Sequence, residues 1–289
     1  MKAAAFEYHR PATLPAALAL LAELAPLDGR ILAGGQSLVP IMAFRLARPT
    51  HLIDINSIAG LDQMRVEDGV LHIGACVRHA AFERPVIAGA LGKLLAQVVH
   101  NIAHVPIRTR GTFCGSIAHA DPASEWCLVA ATLGARMVAA SMRGMREIAA
   151  DGFFNGLMST ALEPDEMLVE VRLPVLGGDT RGGFWEFSRR AGDYAMAMAL
   201  AVWRDEGGRM RDVRVGIGSV EPAPRRLPEV EAALEGQVAG HELFRSAADA
   251  AMMDAMEDHQ ASAAFRTDLA RTAIRRALAR GLSGALSGD

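Results

Sequence analysis

The chain has 289 residues, 51% of them hydrophobic, which is enough for a large core in two domains or in one domain with lobes. Its formal net charge of −3 gives no electrostatic basis for binding nucleic acid or an acidic membrane surface. Three cysteines, none in a CxxC pair, favour a reducing cytoplasm and exclude a disulfide framework, a zinc site and an iron–sulfur cluster.

Neither a targeting segment nor a membrane span is predicted. The start MKAAAFEYHRPA carries Glu7 and His9 where a signal peptide has its apolar region. Residues 14–27 are apolar, but Glu23 and Pro26 interrupt them, which indicates an amphipathic core helix. We therefore expect a cytoplasmic protein without a membrane span.

The first part of the chain alternates helix and strand. The pattern predicts a helix over 14–25, a strand and turn at RILAGG, a helix over 37–47 and a strand over 51–55. Gly34 and Gly35 follow the strand directly, and Ser37 can cap the next helix. Such a turn presents main-chain N–H groups that suit a phosphate, although a tight turn without a ligand has the same signature.

The pattern of the sequence changes from Asp62 onward. MRVEDGVLHIGAC reads as a hairpin, RHAAFERP and VIAGALGKLLAQVVHNIAH as helical, SEWCLVAATLGA as a helix, and RMVAAS and DEMLVEVRLP as strands. Between them, the stretch 105–126 has glycines and little helical periodicity, so we interpret it as irregular. A long irregular run inside a compact domain is usually functional.

The last part predicts a smaller α+β domain. The glycine-rich stretch 175–183 reads as a linker, and three antiparallel strands follow in FWEFSRR, AMAMALAVWR and RMRDVRVGIGSV. Helices are predicted in LPEVEAALEG, HELFRSAADAAMMDAME and AFRTDLARTAIRRALARGL.

Two glycine-bearing stretches are candidates for phosphate binding: AGGQS at 33–37 and GTFCGS at 111–116. Two such nests in one chain suit a ligand with a pyrophosphate. The GxGxxG and GxxxxGK[ST] motifs of the common dinucleotide and P-loop folds are absent.

Other constellations are ambiguous. His100 and His104 have the i, i+4 spacing of a metal pair, but a polar helix end gives the same spacing. His119 and Asp121 could form an acid/base pair or simply hydrogen-bond within a loop. Ser37 lacks the second glycine of GxSxG, so we do not interpret it as a nucleophile.

Three stretches together resemble one family. LAGGQSLVP, RTRGTFCGSIAHADPASE and SRRAGDYAMA are similar to the FAD-binding medium subunit of molybdenum hydroxylases, the xanthine dehydrogenase and carbon monoxide dehydrogenase family. The similarity extends along nearly the whole chain. It implies an α+β protein with a two-lobed α/β FAD-binding domain of the PCMH/VAO-like type over 1–175, in lobes of about 1–58 and 59–175. A C-terminal α+β domain over 176–289, with a three-stranded antiparallel sheet and helices, follows.

The resemblance also implies a set of FAD-binding residues. The first loop and the TxGG-like second loop would bind the pyrophosphate, an acidic residue would lie near the adenosine ribose, and apolar and tyrosine side chains would contact the rings. These residues are Leu32, Ala33, Gly34, Gly35, Gln36, Ser37, Ile102, Thr112, Cys114, Gly115, Ser116, Glu125, Leu168 and Tyr194. No catalytic residue and no metal ligand is carried over.

Two positions depart from the family pattern. Cys114 replaces the first glycine of TxGG, so either its backbone is ordinary or FAD binds somewhat differently, because positive φ is costly for a side chain. Glu186 stands where many relatives have lysine, which removes a positive charge near the flavin domain.

The resemblance implies an electron-transfer role. A large molybdopterin subunit would oxidise the substrate, a small subunit would hold two [2Fe–2S] clusters, and this chain would pass electrons through FAD to an external acceptor. The acceptor is left open by the sequence: oxygen, NAD, a quinone and a protein carrier are all candidates. A dimer of heterotrimers is common in the family. The alternatives are a stand-alone FAD oxidase or reductase and a non-catalytic nucleotide-binding scaffold subunit.

Overall fold

The structure, a computed structural model, describes residues 2–284 and residue 286. Three larger sheets follow one another along the chain: a parallel sheet in an N-terminal lobe, a five-stranded sheet in a second lobe, and a four-stranded antiparallel sheet in a C-terminal region. The predicted mixed architecture, with two lobes before an α+β region, is confirmed. Among the described residues, no helix is both long enough and apolar enough to cross a membrane.

The N-terminal lobe is a small parallel sheet covered by a helix. Its elements are β1 (Glu7–His9), α1 (Leu14–Leu24), β2 (Gly29–Leu32), α2 (Leu38–Ala43) and β3 (His51–Asp54). The central strand is β3, which pairs Ile53 with His9 on one side and Ile31 on the other. The buried face of α1 packs on Ile53. Because β2 runs parallel to β3, the AGGQS loop leaves the sheet at its carboxyl edge, where ligands commonly bind in α/β folds.

The second lobe is a five-stranded antiparallel sheet packed against helices. Its elements are β4 (Met64–Glu67), β5 (Val70–Gly74), α3 (Ala90–Val99), α4 (Val105–Arg108), α5 (Phe113–His119), α6 (Glu125–Leu133), β6 (Arg136–Ser141), β7 (Gly144–Ala149), β8 (Phe154–Gly156), β9 (Ser159–Thr160) and β10 (Met167–Pro174). The order in the sheet is β4-β5-β10-β6-β7, and β8 and β9 form a separate pair. Fully buried Trp126 packs against Phe82 and Phe113, with ring centroids 5.1 and 4.7 Å away.

The C-terminal region is a four-stranded antiparallel sheet with three helices. Its elements are β11 (Thr180–Phe187), β12 (Ala197–Glu206), β13 (Arg209–Gly218), β14 (Arg225–Arg226), α7 (Pro228–Leu234), α8 (His241–Asp249) and α9 (Ala263–Leu282). Apolar residues of α9 and α8 share one core with the sheet. The prediction of three strands is corrected to four, because the two-residue β14 pairs Arg226 with Gly216 of β13.

Several predicted helices are shorter than expected. The helix predicted over 37–47 ends at Ala43, and Arg45 then takes a left-handed φ of 59°. RHAAFERP contains only a 3₁₀ turn, His79–Glu83. The helix predicted from residue 241 to 257 ends at Asp249, after which the chain is not helical until Ala263.

One segment interpreted as irregular and one interpreted as a linker contain helices or strands. The stretch 105–126 holds α4, α5 and the start of α6, and the predicted linker over 175–183 already contains the first residues of β11. Glycine and small polar residues within short helices hide the helical periodicity from a sequence window. The hairpin predicted at 64–76 is confirmed, with β4 and β5 joined at Asp68 and Gly69.

Candidate cofactor site

The two glycine-bearing stretches meet in the folded chain. A Cβ atom on Gly34 would lie 2.3 Å from the Arg110 carbonyl oxygen and 2.6 Å from the Gly111 Cα. Both neighbours are backbone and cannot move aside as a flexible side chain can, so only glycine permits this approach. The first loop, residues 32–37, and the second loop, residues 110–116, therefore form one continuous surface.

The first loop leaves β2 through a left-handed turn. Gly35 has a φ of +71°, and the Gln36 side-chain amide donates a hydrogen bond to the Gly34 carbonyl oxygen at 3.2 Å. Ser37 precedes α2 as predicted, but its backbone is already helical and its hydroxyl makes no capping hydrogen bond. The prediction of a side-chain cap is wrong, because a capping residue needs an extended backbone.

The second loop is fixed by a cap on α5. Thr112 has an extended backbone, and its hydroxyl oxygen accepts a hydrogen bond from the Gly115 N–H at 3.0 Å. Cys114 lies within α5 and is not among the described non-glycine residues with positive φ. Its buried thiol faces the Ile73 and Gly74 carbonyl oxygens at 3.4 and 3.5 Å. Of the two alternatives for Cys114, the structure has the ordinary backbone.

Two residues that sequence reasoning missed join the loops. Arg78 donates hydrogen bonds to the Arg110 carbonyl oxygen and, at 2.6 Å, to the Asn56 side-chain oxygen. The Asn56 amide in turn donates to the Ala33 carbonyl oxygen at 2.8 Å. This chain of contacts spans both loops, and no spacing in the sequence signals it because each partner lies on a different element.

Two carboxyl groups interact at the junction with the C-terminal region. Glu125 opens α6 and is buried, and Glu186 on β11 has a buried Oε2 atom without a hydrogen-bond partner. Burial, followed by the charge of Glu186, raises the pKa of the Glu125 carboxyl. Burial also raises the pKa of Glu186. The pair therefore keeps a proton to a higher pH than ordinary glutamate side chains do.

The remaining predicted contacts differ in exposure. Ile102 and Leu168 are buried in the core of the second lobe, whereas Tyr194 is 72% exposed. The loop that carries Tyr194 rests on the second lobe, since a Cβ on Gly192 would lie 2.5 Å from the His104 ring. A cavity of about 190 Å³ lies beside Tyr194, Asp121 and Arg266. It is smaller than a typical pocket for an organic substrate.

Comparison with known proteins identifies the family. Residues 4–176 match the model of the FAD binding domain in molybdopterin dehydrogenase, and residues 183–280 match that of the CO dehydrogenase flavoprotein C-terminal domain. The chain is 38% identical over 286 residues to caffeine dehydrogenase subunit beta of Pseudomonas sp. (strain CBB1), covering 97% of this chain and 96% of the relative. It is 36% identical to the carbon monoxide dehydrogenase medium chain of Hydrogenophaga pseudoflava, over 94% of this chain and 96% of that one.

Solved structures agree with the family match. The chain aligns with carbon monoxide dehydrogenase from Hydrogenophaga pseudoflava at a TM-score of 0.93 and 36% identity, covering 98% of this chain and 99% of that one. For quinoline 2-oxidoreductase from Pseudomonas putida 86 the TM-score is 0.92 at 35% identity, over 99% and 100% of the two chains. The chain belongs to the family of FAD-binding medium subunits of molybdenum hydroxylases. It is an oxidoreductase component, and its cofactor is FAD.

The residues present fit FAD at two points. The contact of Gly34 with the second loop brings the main chains of the two loops together, and main-chain N–H groups are the donors that phosphates commonly use. The positive φ of Gly35 turns the chain at the same place.

Cys114→Ala is expected to leave FAD affinity within about twofold and to lower the unfolding free energy by about 1 kcal/mol. The reason is that the thiol packs into the core behind the loop, with helical backbone at that position. Flavin fluorescence titration and urea unfolding of the flavin-free chain measure the two quantities. A large loss of affinity at unchanged stability would show that the thiol faces the cofactor.

Glu186→Gln is expected to stabilise the flavin-free chain at alkaline pH. Both carboxyl pKa values are raised above the ordinary 4.5 in the folded chain, so the unfolded chain releases protons first as pH rises. The contribution of this pair to the unfolding free energy is thus fully present below pH 4.5, and it is lost as the pH rises through the pKa values of the folded chain. When the pH is raised from about 5 to about 8.5, the unfolding free energy of the variant should increase by about 1–3 kcal/mol relative to that of wild type. Urea unfolding at both pH values measures the gain.

Glu23→Gln, at an exposed position on α1, is the matched control and should follow the wild-type pH profile. Identical pH profiles for Glu186→Gln and wild type would contradict the buried-pair interpretation.

The histidine candidates lie at the ends of helices. His100 ends α3 and His104 precedes α4, so they do not share a helix face. Asp121 accepts a hydrogen bond from the Ala123 N–H at 2.9 Å, which is the loop alternative rather than a pair with His119. Burial lowers the pKa of His119.

A third histidine cluster was not predicted. Parallel pairing of β1 with β3 brings Glu7, His9 and His51 together, with possible ligand atoms within 4.8 Å of one another. The His9 Nε2 and His51 Nδ1 atoms are 3.1 Å apart, so an imidazole–imidazole hydrogen bond accounts for their proximity. His9 and His51 are distant in sequence, which is why no spacing rule detects them.

Proposed function

We propose that this chain is the electron-transfer subunit of a heterotrimeric molybdenum hydroxylase, taking electrons from [2Fe–2S] clusters on a small partner and delivering them to an external acceptor. The contact between the two glycine loops carries the proposal, because it builds one surface for a dinucleotide pyrophosphate. Bound FAD supplies the redox chemistry, and the protein supplies binding, orientation and electrostatics.

Residues of both loops would hold the cofactor. We assign the pyrophosphate to the main chain of the first loop and to the second loop from Thr112 to Ser116. Glu125 would lie near the adenosine ribose, and Ile102, Leu168 and Tyr194 near the rings. These assignments follow the family pattern and the placement of both loops at one junction.

The distribution of cysteines supports a division of labour between chains. Cys76, Cys114 and Cys127 are free and buried, and two of them, Cys114 and Cys127, each have the thiol against a main-chain carbonyl at 3.4 Å. A [2Fe–2S] cluster takes four ligands, normally cysteines. We therefore place the clusters on a small partner. By the family pattern, we place the molybdopterin centre on a large partner and the three chains in a dimer of heterotrimers. Free thiols agree with a cytoplasmic location.

Mixing experiments test the electron-transfer role. The purified chain, loaded with FAD, is mixed anaerobically with its reduced [2Fe–2S] subunit, and the flavin absorbance near 450 nm is followed. Rapid bleaching that requires the subunit supports the proposal. A flavin that is reduced only by a small organic donor, without either partner, would instead indicate a stand-alone oxidase or reductase. A chain that assembles with both partners but holds no flavin would indicate a scaffold.

A further inference from the structure

His79 is buried behind the second glycine loop and is only 3% exposed. Its main-chain N–H donates a hydrogen bond to the Gly111 carbonyl oxygen at 3.0 Å. Its ring lies so close to Gly111 that a Cβ there would stand 2.6 Å from Nε2. The imidazole is therefore held in one position relative to the loop.

The partners of the ring determine its tautomer. The Trp126 indole N–H donates to His79 Nδ1 at 2.9 Å, and an indole can only donate. Nδ1 therefore carries no proton, and the proton of the neutral ring is on Nε2. Burial, followed by the nearby Arg78 and Arg108 charges, lowers the pKa of His79 to about 4, so the ring is neutral at physiological pH.

The protonated Nε2 faces a residue of the second loop. It lies 3.5 Å from the Ser116 hydroxyl oxygen, at the upper limit of a hydrogen bond. Because Nε2–H donates, the Ser116 oxygen accepts, and the hydroxyl proton of Ser116 must point to another acceptor. Phosphate oxygens only accept hydrogen bonds, so an anionic ligand on this loop suits that orientation.

We propose that His79 is a positioning residue that sets the Ser116 hydroxyl as a hydrogen-bond donor to the FAD pyrophosphate. This rests on the proposed function. Without the Nε2 donor, the Ser116 hydroxyl is free to rotate away from the ligand, as a hydroxyl normally can. His79 would thus act on the cofactor only through Ser116.

A double-mutant cycle tests the proposal on the full-length chain. Ser116→Ala, His79→Asn and the double variant are freed of flavin, and their FAD dissociation constants are measured by flavin fluorescence quenching. Asparagine places its oxygen near the Nδ1 position, which keeps the acceptor for Trp126 but removes the donor toward Ser116. We expect each single variant to weaken binding about tenfold, and the double variant to bind within about twofold of Ser116→Ala.

The proposal would be overturned by additive effects, in which His79→Asn weakens binding by the same factor with and without the Ser116 hydroxyl. It would also be overturned if His79→Asn had the same FAD dissociation constant as wild type. His79→Gln, whose amide nitrogen extends toward the Nε2 position, should recover most of the affinity. If His79→Asn does not fold, the FAD dissociation constants of His79→Gln and Ser116→Ala are compared instead to test the role of His79. Affinity near wild type for His79→Gln supports the proposal, and affinity as weak as that of Ser116→Ala overturns it.

Two controls separate this inference from other failures. His259→Asn, at an exposed position, should leave the dissociation constant unchanged. Urea unfolding of each flavin-free variant shows whether a change in affinity follows a loss of fold. A wild-type chain that does not bind FAD would contradict the proposed function itself, whereas tight wild-type binding with additive variants contradicts only the role of His79.

Discussion

Gly34→Ala is expected to weaken FAD binding by about 100-fold and to lower the unfolding free energy by about 2 kcal/mol. Its Cβ would stand 2.3 Å from the Arg110 carbonyl oxygen and 2.6 Å from the Gly111 Cα, so the two loops must separate to admit it. Both glycine loops would then lose their common surface. Flavin fluorescence titration and urea unfolding give the two numbers.

Gly152→Ala is the matched control, because a Cβ at Gly152 meets nothing within 4 Å. It should bind FAD like wild type. If Gly34→Ala also bound FAD with wild-type affinity, the two loops would not share a ligand, and the pyrophosphate assignment would fail.

Arg266→Met is expected to lower the unfolding free energy by about 3–5 kcal/mol. The guanidinium is buried and donates to the Met196 and Ser219 carbonyl oxygens at 2.9 Å each. It also donates to the Met256 carbonyl oxygen at 3.0 Å and to the Asp258 carboxylate at 2.7 Å. Removing it leaves these acceptors unpaired and releases the segment between α8 and α9, which carries Met256 and Asp258.

Arg266→Lys keeps the charge but not the planar guanidinium group. Its unfolding free energy should therefore lie between that of wild type and that of Arg266→Met. Arg245→Met, on the exposed face of α8, is the control and should change stability by less than about 0.5 kcal/mol. A cost below 1 kcal/mol for Arg266→Met would show that water replaces the lost bonds and that Arg266 does not hold the segment.

The sequence was sufficient where a local pattern decides the structure. Apolar periodicity marks α1 and α6, and the alternation on either side of Asp68 and Gly69 marks the β4–β5 hairpin. It failed where the pattern is weak. β7 is exposed at five of its six positions, and β14 has only two residues, so neither carries an alternating signal.

The candidate site shows the same division. Glycine pairs after a strand are visible in the sequence, and so is the family pattern of the second loop. The roles of Arg78, Asn56 and His79 are not visible, because each depends on contacts between elements that are far apart in the chain. Cys114 illustrates the converse, since the sequence departs from the family there while the backbone stays helical.

The central claim is that both glycine loops form one cofactor site. The amount of FAD bound to the purified full-length chain tests this claim most directly. The visible spectrum is recorded, the protein is denatured, and the released flavin is quantified per chain. We predict flavin bands near 370 and 450 nm and about one FAD per chain, retained in wild type and lost in Gly34→Ala. A colourless chain that also fails to take up added FAD would contradict the account.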